Sequence, residues 1–286
     1  MNSSMTFDRR ELDELRARFP EVVAFDKGRR NRNVLIGLGV VAYVIFCLWA
    51  FEITWERLTG GLDKMAIVIR QMVTWNDFWT WDFSGIALGL AQTLGMAFLG
   101  TLVASLVALP LGFLAARNVV GFSPLRHLVR RVLDVFRGVD QLIWALVYVR
   151  AVGLGPLAGV LAIMTSDTGI LGKLYSEAVE NIDKKQVEGV KATGASPLAL
   201  YRFGALPQVI PVFLAQSLYF FESNTRSATI LGIVGAGGIG MQLSERMRVQ
   251  YWDQACFIII LILIMVGVID WLSGKLRMHF IGKRDL

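Results

Sequence analysis

Residues 86–116 read IALGLAQTLGMAFLGTLVASLVALPLGFLAA and contain no Asp, Glu, Lys or Arg. At a helical rise of about 1.5 Å per residue, this run is long enough to cross the roughly 30 Å hydrocarbon layer of a bilayer. The whole chain is 55% hydrophobic and only 18% charged over 286 residues, which is too apolar for a water-soluble domain. The sequence therefore predicts a membrane protein.

Further apolar runs indicate that the chain crosses the membrane several times. The third run is short and needs residues before it to reach spanning length, and a Gly-rich turn at 153–156 separates it from the fourth. We predict an all-α, polytopic bundle of about six transmembrane helices, with a cytoplasmic amphipathic segment at 1–32 and a transmembrane domain at 33–286. The predicted spans are residues 34–51, 86–116, 139–152, 157–174, 209–233 and 255–272.

The basic residues predict the side of each loop, because cytoplasmic connections retain an excess of Lys and Arg. Bases cluster before the first span, after the second and fourth spans, and at the C-terminus. This places both termini and the loop 175–207 in the cytoplasm, so the net charge of +6 reflects membrane topology rather than nucleic-acid binding. The acidic, Trp-rich connection 52–84 is predicted to lie outside. Its apolar residues recur at helical spacing and predict an interfacial amphipathic helix: Leu62, Met65, Ile69 and Met72.

The loop 175–207 has the sequence of a polar helical stretch, 175–191, followed by a turn and a second helix. Gly194 can end the first helix in a left-handed conformation, Ser196 can cap the second, and Pro197 suits its first position. Any polytopic protein can carry a long loop with good helix caps, so the caps alone assign no function.

Residue spacing in this loop resembles the coupling-loop signature of ABC importer permeases: Glu188 followed by two small residues, then Gly194, then Leu206 and Pro207. The resemblance implies a type I importer permease fold whose short loop helix docks on a separate ATPase subunit. Alternatively, Glu188 pairs with a lysine of its own helix, which contributes only about 0.2–0.5 kcal/mol. The residues implied in coupling are Glu188, Gly189, Gly194, Ala195, Ser196, Pro197, Leu206 and Pro207.

Three more stretches are similar to permeases of phosphonate-type ABC importers: 137–145, 171–178 and 222–232. The chain departs from that pattern at Val139 and Asp140, where Pro-Glu is usual, and at Ser166 and Asp167, where many relatives have a histidine or small residues. It departs from the coupling-loop signature at Gly204, where isoleucine is usual. The resemblance implies transport of phosphonate, phosphite, hypophosphite or phosphate across a bacterial inner membrane. The implied partners are a second copy of the permease, two ATP-binding subunits that hold ATP and Mg²⁺, and a periplasmic or lipid-anchored phosphonate-binding protein.

Charged and polar side chains inside the predicted spans are candidates for the substrate pathway, because burying a charge in a bilayer is costly. Glu222 and Arg226 are four residues apart and can form a structural ion pair. The sharper hypothesis is that Arg226, with Asn224 and the neighbouring Thr225, lines the pathway and contacts the anion's oxygens. Asp167 would repel an anion, so a gating hydrogen bond or a helix-end cap is the expected role.

Gly235, Gly237 and Gly240 match the dinucleotide-binding pattern G-x-G-x-x-G. That pattern requires a βαβ unit, whereas these glycines end an apolar span, so we reject nucleotide binding. We predict that they form, with Gly238, a re-entrant turn near an outer gate, and a flexible loop is the alternative.

The sequence argues against two other functional classes, a secondary transporter and a membrane enzyme. An ion-coupled secondary transporter also buries charges, but it commonly has two related halves, and no internal repeat is apparent. A membrane enzyme needs a cluster of His, Cys or carboxylates, whereas His127 and His279 are far apart in predicted cytoplasmic segments. We therefore predict no catalytic residue, no metal site and, without a Gly-rich phosphate loop, ATP hydrolysis only in a partner chain.

Overall fold

A computed structural model describes residues 27–52, 54–196 and 199–281 of the chain. Every regular element in these residues is helical, which confirms the predicted all-α class. The chain divides into two compact units, Met1–Ile67 and Val68–Leu286. Most of the predicted amphipathic segment 1–32 lies outside the described residues, and the domain boundary after residue 32 stays a prediction.

The first unit contains helix α1 (Lys27–Ala50) and most of helix α2 (Trp55–Val73). Residues Asn31–Ala50 of α1 are long and apolar enough to cross a membrane. A helix is found in the connection 52–84, as predicted, and it is α2. The four apolar residues of the predicted face all lie in α2: Leu62, Met65, Ile69 and Met72. That α2 lies at a membrane interface stays a prediction.

The remaining helices belong to the second unit. They are α3 (Phe83–Ala115), α4 (Ser123–Gly138), α5 (Gln141–Val152), α6 (Pro156–Glu180), α7 (Lys184–Ala192), α8 (Leu206–Leu231), α9 (Gly238–Arg248) and α10 (Trp252–Ile281). Short π-helical turns, Leu200–Ala205 and Gly232–Ala236, lead into and out of α8. Among the described residues, five segments have the length and hydropathy of membrane spans: α1, α3, α6, α8 with its two turns, and α10.

The third predicted span is the element that differs from expectation. Helix α5 has only 12 residues and rises about 18 Å, too short for a hydrocarbon layer of roughly 30 Å. The expectation that preceding residues lengthen this span is wrong, because those residues form the separate, strongly charged helix α4. The Asp140 carboxylate accepts a hydrogen bond from the Leu142 backbone N–H (2.8 Å) and so starts a new helix. Helices α4 and α5 both pack along α6, with the break at Asp140 between them.

Helices α3, α6 and α8 form the centre of the second unit. Gly112 lets α3 approach α6 closely, since a Cβ there would lie 2.7 Å from the Cβ of Tyr175. Tyr175 in turn stacks on Phe213 of α8, with ring centroids 4.1 Å apart. Tyr175 and Phe213 belong to one apolar cluster, and Met96 and Ile163 belong to a second cluster further along α3 and α6. Buried polar residues lie between the two clusters.

Candidate functional site

A single glutamine side chain ties the start of α7 to the start of α8. The Gln208 Oε1 accepts a hydrogen bond from the Asp183 backbone N–H (2.9 Å), and its Nε2 donates to the Gly204 carbonyl (2.7 Å). The Asp183 carboxylate accepts from the Lys185 backbone N–H (2.9 Å), which caps α7. The short helix is therefore anchored at its N-cap residue, Asp183.

The predicted helical stretch 175–191 is two helices, because α6 ends at Glu180 and a capped turn precedes α7. The turn after α7 has the predicted chemistry. Gly194 has a φ of +76°, the left-handed conformation that favours glycine. The Ser196 hydroxyl accepts a bond from the backbone N–H three residues on (3.4 Å). Pro197 lies outside the described residues.

Glu188 and Gly189 are exposed on α7. Among the described side chains, Glu188 forms no salt bridge with the lysines of its own helix, so its carboxylate is available to a partner. The opposite side of α7 packs on the π-helical turn before α8: a Cβ at Gly204 would lie 3.2 Å from the Val187 Cα. Gly204, which stands where the family pattern usually has isoleucine, therefore lets α7 pack closely against this turn. The other predicted coupling residues lie in the turn or begin α8: Ala195, Leu206 and Pro207.

A polar centre, defined as Thr101, Gln141, Asp167 and Asn224, joins four helices of the second unit. Asp167 is 2% exposed and accepts from the Asn224 Nδ2 (2.5 Å) and the Gln141 Nε2 (3.3 Å). Asn224 Nδ2 also donates to the Thr101 hydroxyl (2.8 Å), and its Oδ1 accepts from Gln141 Nε2 (3.2 Å). Each oxygen of the carboxylate therefore has an amide donor, as a buried anionic group requires.

Only part of this polar centre was expected from the sequence. Asp167 and Asn224 were both predicted as candidates, and the structure brings them together. Asp167 is hydrogen bonded to Asn224. Because it lies in the middle of α6, it caps no helix end. Gln141 and Thr101 were missed, although Gln141 directly follows the α4–α5 break. Thr225 is buried beside Asn224, but its hydroxyl donates to the Phe221 carbonyl of its own helix (2.9 Å).

Four charged residues link α8 to α10. Glu222 and Arg226 do pair along α8, at 3.8 Å, but each has a closer partner on α10. Arg277 donates to the Glu222 carboxylate at 2.6 Å, and Arg226 contacts the Asp270 carboxylate at 3.1 Å. Asp270 was missed although it lies inside the predicted span 255–272, and Arg277 was missed because α10 continues past residue 272. The result is a ladder of charges between two helices rather than a single pair.

Arg226 and Asn224 do not come together in the structure. The Arg226 side chain is 50% exposed, whereas Asn224 is 3% exposed and faces the interior. In an α-helix, residues two positions apart lie on different faces. The polar centre and the charge ladder are thus two separate sites on α8.

The glycines after α8 form a tightly packed helix-to-helix turn. Gly235 and Gly237 have positive φ values, +104° and +79°, and the Gly235 carbonyl accepts from the Gly155 backbone N–H (3.1 Å). A side chain at Gly240 would overlap the Thr229 carbonyl oxygen, and one at Gly238 would overlap the Thr93 hydroxyl. These contacts give the close backbone packing expected of a re-entrant turn, whereas its position at an outer gate stays a prediction.

Residues 108–277, more than half of the chain, match the family described as the binding-protein-dependent transport system inner membrane component. The chain belongs to this family. The putative phosphite transport system permease protein HtxC of Stutzerimonas stutzeri is 34% identical over 252 residues, covering 88% of each chain. The phosphite transport system permease protein PtxC of the same species is 39% identical over 255 residues, covering 88% of this chain and 90% of the relative.

The fold is that of ABC importer permeases, as the sequence resemblance implied. A solved structure of the MetNI methionine ABC transporter in an inward-facing conformation matches with a TM-score of 0.62 at 19% identity. That match covers 72% of this chain and 99% of the other. The family match includes α7, Asp167 and Asn224 and begins after Thr101. This inner membrane component is therefore a transport subunit, not itself an enzyme.

Proposed function

We propose that this chain is the permease subunit of an ATP-driven importer of phosphorus oxyanions: phosphonate, phosphite, hypophosphite or phosphate. Membership of the binding-protein-dependent family and the phosphite transport named for HtxC and PtxC support this cargo class. The family description supports a bacterial inner-membrane location, and the distribution of Lys and Arg supports placing both termini in the cytoplasm.

The observation that carries the proposed coupling is the exposed Glu188, which pairs with no other described side chain, on a helix whose start is hydrogen bonded to Gln208. A docking helix transmits force only if it is rigid where it joins the membrane helices. The ATPase subunits then hold ATP and Mg²⁺, while α7 and the turn through Gly194 fit a groove on their surface. Glu188 offers that groove a charged hydrogen-bond acceptor.

The polar centre serves as a gate in this proposal rather than as a cargo site. A carboxylate at Asp167 repels an oxyanion, and its amide donors are already engaged. Arg226, half-exposed with Glu222 nearby, is the proposed cation that meets the anion's oxygens. The turn at Gly237 closes the pathway on the outer side.

Two copies of this permease, two ATP-binding subunits and a periplasmic or lipid-anchored binding protein make up the proposed assembly. Co-purification of two differently tagged copies of the chain tests the homodimer directly. Recovery of a different permease chain in place of the second copy would replace the homodimer with a heterodimer. Affinities of the binding protein for the four oxyanions select the cargo.

Uptake of labelled phosphite into vesicles containing the complete transporter tests the coupling. Glu188→Lys is expected to lower uptake at least tenfold and to lose the ATPase during purification, while the permease stays in the membrane. Glu56→Lys, the same charge change at an exposed position of α2, is the matched control and keeps both. Retention of the ATPase by Glu188→Lys would contradict the docking role, and uptake driven by a proton gradient without ATP would contradict the importer class.

A further inference from the structure

A cavity of about 220 Å³ lies between α4 and α6, next to the residues that follow α3. It is separate from the polar centre, from the charge ladder and from the α7 surface. Cationic side chains predominate in its lining, which also includes the carboxylates of Asp134 and Glu177. The cationic members are Arg117, Arg130, Arg131 and Lys173.

One carboxylate in this lining is shared by three cations. Asp134 lies 3.3 Å from the Arg131 guanidinium, 3.1 Å from that of Arg137 and 3.6 Å from the Lys173 ammonium. A single negative charge does not neutralise three positive ones. The lining is therefore left with cationic groups that lack a full counter-charge.

Arg117 strengthens this imbalance. Glu180 accepts hydrogen bonds from the Arg117 backbone N–H (2.6 Å) and from the Arg130 guanidinium (2.5 Å), so this carboxylate is already engaged. The exposed Arg117 side chain forms no ion pair among the residues that the structure describes. Five cations in or beside the cavity thus face three carboxylates, a surplus of two positive charges: Arg117, Arg130, Arg131, Arg137 and Lys173 against Asp134, Glu177 and Glu180.

We propose that this cavity binds a phosphate-type oxyanion, either free phosphate or the phosphodiester headgroup of an anionic lipid. Guanidinium groups match such oxygens with paired, charge-assisted hydrogen bonds. Basic pockets between transmembrane helices on the cytoplasmic side are suited to lipid phosphate groups. The cavity lies toward the end of α6 that the basic residues assign to the cytoplasm, with Lys173 two turns before Glu180. This site does not depend on which cargo is transported.

Binding to the full-length chain in lipid nanodiscs tests the proposal in two arms. In the first arm, inorganic phosphate is titrated calorimetrically into nanodiscs of phosphatidylcholine alone. In the second arm, the nanodiscs also contain phosphatidylglycerol, and native mass spectrometry counts the anionic lipids that stay bound. Phosphate binding in the first arm identifies a free anion as the ligand, and retained phosphatidylglycerol identifies a lipid headgroup.

Arg117→Gln is expected to weaken the binding found in either arm about tenfold, because one charge-assisted contact is lost. Arg117→Lys keeps the charge and is expected to lose no more than about threefold. The matched control is Arg126→Gln, which changes a base near the start of α4 that does not line the cavity. It should bind within about twofold of the unmodified chain.

Arg131→Gln is the second lining variant, and we expect a similar tenfold loss, so the result does not depend on how well one variant folds. The proposal is overturned if neither phosphate nor phosphatidylglycerol binds above the background of phosphatidylcholine. It is also overturned if Arg126→Gln reduces binding as much as Arg117→Gln and Arg131→Gln do.

Discussion

Replacing Asn224 with leucine measures how strongly the polar centre holds α3, α6 and α8 together. The change removes the 2.5 Å donor to Asp167 and the 2.8 Å donor to Thr101. The buried carboxylate then keeps only the longer, 3.3 Å contact with Gln141. Leaving a buried acceptor without its donor costs about 1–3 kcal/mol, and more when the acceptor is charged, whereas single hydrogen bonds between transmembrane helices average about 0.6 kcal/mol. We expect a loss of about 3 kcal/mol, because the orphaned group is a carboxylate.

Unfolding free energies in mixed detergent micelles, with transition midpoints as a check, measure this loss. Thr225→Val is the matched control: its hydroxyl bonds only within its own helix, and we expect a change below about 1 kcal/mol. The double change Asp167→Leu with Asn224→Leu should recover at least half of the loss, because both polar partners become apolar. Equal stability of Asn224→Leu and Thr225→Val would refute the reasoning.

Two further substitutions test the turn after α8 and the charge ladder. Gly240→Ala should destabilise the protein by at least about 2 kcal/mol, because the added Cβ overlaps the Thr229 carbonyl. Gly267→Ala, with open space around it, should be neutral or more stable by up to about 1 kcal/mol, and equal unfolding midpoints for the two would contradict this. Arg226→Ala should abolish oxyanion uptake in vesicles while Arg226→Lys retains part of it, and normal transport by Arg226→Ala would remove this residue from the pathway.

Features with a local cause were predictable from the sequence. Residues 86–116 predicted α3 (Phe83–Ala115) to within three residues at each end, since a long apolar run in a bilayer must satisfy its own backbone hydrogen bonds, as a helix does. Gly194 adopts the predicted left-handed conformation, because its φ is set by the helix end that it terminates. Both features depend on residues adjacent in the chain.

Features that arise from contacts between distant segments were not predictable in the same way. The break before Gln141 depends on one capping carboxylate, which hydropathy does not register. Thr101 is one of three hydroxyl residues in an apolar run, and only the fold places it beside Asn224. Asp270 and Arg277 form ion pairs with residues of α8 that lie more than forty positions earlier in the chain. Single polar residues on separate helices carry no sequence signal of their pairing.

Helices α6 and α8 connect the proposed docking surface to the polar centre. Gln208 of α8 is hydrogen bonded to the start of α7, and α8 also contains Asn224 of the polar centre. At the other end, the 2.5 Å bond between Asn224 and Asp167 fixes the register of α8 against α6. Sliding one helix past the other would break this bond and expose a buried carboxylate to apolar surroundings, at a cost of several kcal/mol. A displacement of α7 should therefore move α6 and α8 together as one body, with the bending left to the break between α4 and α5.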